Sequence, residues 1–388
     1  MMRFPKRLLS ALLTLFLAGM LLAQDNGEVR IIPVADRPES VVAAQVRQAS
    51  GSGVEFYKFS GIIPSQKTED LRPYSLRSAS LYALDFTQLS ALLKNAPEAV
   101  SFGFQYKGQT LSLDLVRVRL LDEQFVVTTS GNGQADYTPG LYYQGVVRGQ
   151  SQHLAAISFF EGQIIGMISL EDHNLVFQPS RAHFGHLLVY DDREIYASKG
   201  FECRADELEN SFRTDQNSGL AESAPGDCIR AYIECDYALH QNKGGVTNTV
   251  NWITSVYNNV KTLYTNESIN TTISEVFVWT TADNYSKTNS VTALNQFRNL
   301  RGTFNGDLAH LAALGGQNIG GVAWLDVLCT SYKYAYSNIS SSYADVPTYS
   351  WTVEVMTHEM GHNIGSNHTQ WCGWSGGALD NCYTPEGN

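Results

Sequence analysis

Glu354-Val-Met-Thr-His-Glu-Met-Gly-His-Asn-Ile-Gly-Ser-Asn-His368 holds five residues at fixed spacing: His358, Glu359, His362, Gly365 and His368, the pattern H-E-x-x-H-x-x-G-x-x-H. On a helix, residues four apart share a face, so His358 and His362 can present two imidazoles to one metal ion. Glu359, one position on, is tilted off that axis and can reach a water at the metal instead of the metal itself. Glycine is the usual residue where a helix stops in a left-handed turn, and such a turn at Gly365 swings His368 back as a third nitrogen ligand. Three His ligands leave one tetrahedral position open, which marks a catalytic rather than a structural Zn2+ site. A bare H-E-x-x-H also occurs as a polar stripe on a buried helix. Five defined positions in a chain with only 9 His argue against that reading.

The motif resembles the metzincin clan of zinc peptidases. Its wording, together with the run Gly320-Gly-Val-Ala-Trp-Leu-Asp-Val-Leu-Cys329, is similar to the reprolysin or adamalysin branch. The resemblance implies an α+β catalytic domain, a mixed twisted sheet carrying a long active-site helix. It also implies a zinc-dependent endopeptidase in which His358, His362 and His368 hold the metal and Glu359 is the general base. An edge strand over Gly321–Cys329 would then pair with an extended protein or peptide substrate.

A chain of 388 residues exceeds one ordinary core, so two domains are expected. Its 43% hydrophobic and 17% charged content are those of a globular protein. A formal net charge of −11 argues against nucleic acid and anionic membranes as partners. Arg3, Lys6 and Arg7, the apolar run Leu8 to Leu22 and the small residue Ala23 read as a signal peptide over 1–23, hence a secreted, extracellular protein. No later stretch is long enough to span a membrane. In that compartment the six Cys are expected mostly in disulfides. Cys372 and Cys382 are the first candidates for a local bridge. Cys228 and Cys235, an odd number of residues apart on a strand, point to opposite faces and do not pair with each other.

Residues 24–205 read as a mostly antiparallel β-region. Leu81 to Leu93 has helical spacing and ends at Asn95 and Pro97. Ser101 to Tyr106, Leu111 to Leu120, Gln124 to Thr129, Gly145 to Arg148, Leu154 to Phe160, Gln163 to Leu170 and Leu175 to Gln178 read as strands, with a hairpin turn at Phe160-Glu-Gly-Gln163. Tyr142-Tyr-Gln-Gly-Val-Val-Arg-Gly149, Ala155-Ala-Ile-Ser, Gly162-Gln-Ile-Ile-Gly-Met-Ile and Leu175-Val-Phe-Gln-Pro179 resemble the propeptide of the same branch. That resemblance implies a zymogen with the propeptide as intramolecular inhibitor. His183 and His186 are three apart with no third ligand nearby and read as ordinary histidines.

Cys203 precedes a polar stretch, and a free thiolate is a strong zinc ligand. In related zymogens a propeptide Cys fills the open metal position. The placement of Cys203 fits that switch role, whereas Arg204 stands where a Gly usually follows. A disulfide is the equal alternative. Residues 206–227 form a linker by composition.

Residues 228–388 form the zinc metallopeptidase domain on this reading. Strands are expected at Ile229 to Asp236, Ile273 to Thr280, Leu308 to Leu314 and Gly321 to Cys329. Helices are expected from Val246 to Leu263, from Val291 to Leu300 and from a Ser350 cap to about Asn363. No Met follows Met360 and only 20 residues follow His368, so the Met-containing turn of metzincins is missing and the domain reads as truncated. Two rival readings remain. One is a catalytically inactive zinc-binding adhesion or interaction module, which would not need Glu359. The other is a zinc amidase or peptidase acting on small or cell-wall substrates.

Overall fold

The structure is a computed structural model that describes residues 21–25, 28–32, 39–196, 208, 228–316, 319–339 and 351–379. The leader over 1–20, Cys203, the stretch 209–227, the Ser350 cap and Cys382 lie outside the described residues. A short antiparallel ribbon, Leu21–Asp25 with Glu28–Ile32, precedes the main body.

Apolar residues on both faces of successive strands build the first large sheet. Its ten strands, in spatial order, are Phe56–Phe59, Ala99–Tyr106, Gln109–Arg117, Leu141–Val147, Gln150–Phe160, Gln163–Ser169, Asn174–Pro179, His186–Asp191, Ser80–Leu84 and Ile62–Pro64. Every neighbouring pair is antiparallel except the first. One face closes over Phe102, whose ring centroid lies 5.3 Å from Phe59, 6.0 Å from Phe159 and 6.1 Å from Phe177. The other face, with Tyr142, Phe160, Ile165, Met167 and Val176, shares a core with the helix Val246–Asn266. Covering both faces explains why these strands read as nearly continuous apolar runs.

Two readings of this region change. The stretch Leu81 to Leu93 is not one helix but the strand Ser80–Leu84 followed by the helix Phe86–Asn95. Asp85 divides them: it is extended, and its side chain accepts the N–H groups of Thr87 and Gln88 as an N-cap. Leu-Tyr-Ala-Leu satisfies the two-residue period as well as the helical one, so the pattern alone was ambiguous. The helix Val41–Gly51, capped by Ser40, was not anticipated.

The second sheet has seven strands in the order Gly321–Ala323, Tyr334–Ile339, Leu308–Leu314, Ile229–Cys235, Thr271–Val278, Leu121–Thr129 and Gly133–Ala135. The five central strands are parallel, and the two short outer ones are antiparallel. The architecture is therefore mixed α/β. Tyr334–Ile339 carries the polar residues Ser337 and Asn338, which hid it as a core strand. Both are buried and satisfied, Ser337 by His310 at 2.7 Å and Asn338 by the carbonyls of Gly316 and Ile319. Leu121–Thr129 belongs in sequence to the amino-terminal β-region but lies in this sheet, in parallel register with Thr271–Val278.

The helix Val246–Asn266 is buried along nearly its whole length. Its hydroxyls bond backward along the helix: Thr254 to Val250 O, Ser255 to Asn251 O, Thr262 to Asn258 O. The helix Trp351–Asn363 lies beside it, and Tyr264 donates its hydroxyl to Thr357 O at 2.8 Å. No helix among the described residues is long and apolar enough to cross a membrane. Cys228, Cys235, Cys329 and Cys372 carry free thiols.

Glu267 caps the long helix at its carboxyl end, where the helix dipole disfavours a negative charge. Burial raises its carboxyl from 4.5 to about 7. A carboxyl raised on folding gives stability that is full below pH 4.5 and is lost as the pH climbs through 7. Glu267→Gln should therefore raise the unfolding free energy at pH 8 by at most about 3 kcal/mol, and the melting midpoint with it. The gain should shrink towards pH 5. Thermal melts at both values test this, and an equal displacement at both would contradict the assignment.

Candidate metal centre

The site is built from one helix and its exit. His358 and His362 are one turn apart on Trp351–Asn363. The helix stops at Gly365, whose φ is +100°. Its N–H donates to His362 O at 2.9 Å, and the next N–H, of Ser366, donates to Gly361 O at 2.9 Å. These two bonds are a Schellman stop. The reversal returns His368 to the cluster. The three Nε2 atoms then lie 3.0 Å (His358–His362) and 3.2 Å (both pairs with His368) apart. Among the described residues this is the one group of three or more His, Cys, Asp or Glu able to hold a metal ion.

The donor set fits a zinc ion. Tetrahedral bonds of about 2.0–2.1 Å would separate the ligand nitrogens by roughly 3.3–3.4 Å, close to what is found. Nδ1 of His362 lies 2.7 Å from Ser366 O, which places its proton there and leaves the Nε2 lone pair for a metal. Burial, and secondarily the neighbouring imidazoles, push His358 well below its ordinary value; burial and His368 push His362 down to about 3. Both are held neutral, the form that ligates.

A loop fastens the end of this helix. The N–H of Asp326 donates to His362 O at 2.9 Å, and those of Val327 and Leu328 donate to Asn363 O at 3.0 and 3.2 Å. In return the Asn363 amide donates to Trp324 O at 2.9 Å and Tyr334 O at 3.1 Å. This corrects the reading of Gly321 to Cys329 as one strand. Only Gly321–Ala323 is strand, and the chain then turns, with positive φ at Asp326 and Cys329, to satisfy the carbonyls that the helix end leaves open. The Asn after the second motif His is thus a structural residue, and its pairing with a loop some 39 positions upstream has no local signal.

Glu359 is fully buried, and its carboxylate lies against the edge strand. A Cβ added to Gly321 would meet Glu359 Oε1 at 2.1 Å. Glycine at 321 is therefore what lets the strand backbone approach the carboxylate. The Gly320-Gly321 pair inside an apolar run is the sequence signal for such a close approach. His183 and His186 lie elsewhere, bonded to Thr68 O and Phe184 O, and join no third ligand. Cys203 falls outside the described residues, so its relation to the cluster is an expectation from sequence alone.

Residues 227–382 match metallo-peptidase family M12, a stretch that contains the whole His cluster and Gly321. This match supports a metallopeptidase. Peptidases of that family are generally zinc-dependent and act on proteins or peptides. Among solved structures, the chain is similar to metalloproteinase-II from Bacteroides fragilis, at 12% identity over 74% of this chain and 87% of that one, with a TM-score of 0.44. A chaperone–substrate complex aligns at 13% identity over 52% of this chain and 28% of that one, with a TM-score of 0.29.

Asn363→Ala would strip two buried carbonyls of their donor. A loss of about 3 kcal/mol in unfolding free energy is expected, measured by urea denaturation followed by circular dichroism. A variant within 0.5 kcal/mol of the parent, on the order of an ordinary surface change, would mean the loop is not fastened through this amide.

Proposed function

We propose that the chain is a secreted, zinc-dependent endopeptidase made as a zymogen. The observation that carries the reading is the convergence of three imidazoles from H-E-x-x-H-x-x-G-x-x-H inside a stretch matching metallo-peptidase family M12. His358, His362 and His368 would hold the ion. A zinc ion held there would supply Lewis acidity for the scissile carbonyl and for water.

The remaining chemistry falls to the chain's own groups. Glu359, next to the first ligand, takes a proton from the attacking water as general base and passes it to the leaving amine. The short edge strand Gly321–Ala323 pairs on one side with Tyr334–Ile339, and its other edge is the place for an extended substrate. The basic, apolar first 23 residues support export, and the β-region resembling a propeptide supports synthesis in a latent form, with Cys203 as a candidate blocking ligand. A metal-binding module without activity has no use for a carboxylate at position 359.

Two variants test the assignment. Glu359→Ala should keep stoichiometric zinc, measured by atomic absorption, and lose casein cleavage by at least about a hundredfold. Gly321→Ala should also keep zinc, and lower kcat with little change in KM, because the added methyl displaces the base rather than the substrate. Full casein cleavage by Glu359→Ala would end the mechanism.

A further inference from the structure

We infer that residues 39–196 are a retained structural subunit of the metal-binding half, one that stays bound after the chain is cut between them. The inference does not depend on the peptidase reading.

The first ground is the shared sheet. Leu121–Thr129 pairs with Thr271–Val278 through Ile273↔Leu121 and then Glu275↔Val126 to Val278↔Thr129. The pairing continues past both strand ends, with Ile273 N–H donating to Leu120 O at 2.9 Å and Ser130 N–H donating to Val278 O at 3.2 Å. Side chains reinforce it: Thr128 Oγ1 donates to Glu275 Oε1 at 2.5 Å, and Arg230 reaches Asp122 at 2.7 Å. Departure of the amino-terminal region would open the edge of a parallel strand that is buried in the fold. Such edges are rarely left bare, because the exposed N–H and C=O groups invite pairing with other chains.

The second ground is the helix Val246–Asn266. Trp252, Ile253, Val256 and Val260 share one core with Tyr142, Phe160, Ile165 and Met167 of the ten-stranded sheet. Across that contact the fully buried Asn258 amide donates to Tyr143 O at 3.1 Å and to Ser158 Oγ at 3.2 Å. Tyr137 donates to Asn251 Oδ1 at 2.9 Å, and Val42 N–H donates to Asn266 Oδ1 at 3.2 Å. A contact that joins a continuous sheet to an apolar helix face has the character of an obligate interface, a domain core cut in two. Opening it would expose that apolar surface to water and break each of these hydrogen bonds.

The contact also bears on the metal centre. The same long helix holds Thr357 O, one residue before His358, through the buried Tyr264 hydroxyl. Any release of a block at the metal must therefore take place with residues 39–196 still in position.

A recognition sequence for a site-specific protease, placed among positions 210–226 of the full chain and cut to completion, tests this. At about 1 μM protein the two fragments should co-elute in gel filtration, with one-to-one mass by light scattering. Elution of a separate carboxy-terminal fragment that keeps its circular dichroism spectrum would overturn the inference. In the uncut natural chain, amides of Leu121–Thr129 and Thr271–Val278 should exchange with deuterium within about tenfold of each other. Exchange of the former at least about a thousandfold faster, as for a loosely docked leader, would also overturn it.

Discussion

A helix with no exposed face sits at the centre of this molecule. Val246–Asn266 is covered on one side by the ten-stranded sheet and touches the metal helix on another. Burial of that kind is costly for each polar group that lacks a partner. The chain solves this locally, with Thr and Ser hydroxyls turned back to carbonyls one turn earlier, and at long range, with Asn258 bridging to the sheet. Position of the histidine-bearing helix and closure of the main core follow from this one packed element, which also helps to attach the amino-terminal half.

The candidate metal centre depends on how a second helix ends. Two imidazoles on one face come from helical geometry alone. The third arrives because Gly365 accepts a positive φ, so that the chain reverses within a few residues. The carbonyls left open by that stop are taken by the loop Trp324–Cys329, and Asn363 returns two bonds to the same neighbourhood. Preorganisation of the cluster thus rests on backbone hydrogen bonds supplied from elsewhere in the sheet, and Ser366 O fixes the tautomer of His362.

Much of this was legible beforehand, and the reasons differ by element. The strands Ile229–Cys235, Thr271–Val278 and Leu308–Leu314 and the helices Val246–Asn266 and Ser290–Leu300 announce themselves by their apolar patterns. Leu81 to Leu93 misled because its apolar residues fit two periods and the single Asp85 decided between them. Gly321 to Cys329 misled because an apolar run signals burial without distinguishing strand from loop. Tyr334–Ile339 was missed because its polar residues are satisfied only by distant partners, among them His310.

The sequence alone determined the candidate ligand set: residue types at helical spacing, followed by a glycine, bring three imidazoles within reach of one point. Only the tertiary structure decided what surrounds it. That Gly321 meets Glu359, that Asn363 is a latch, and that Leu121–Thr129 completes the other half's sheet are contacts between residues dozens to more than a hundred positions apart. Such contacts are set by the packing of whole elements against one another, and no local pattern encodes which surfaces will meet.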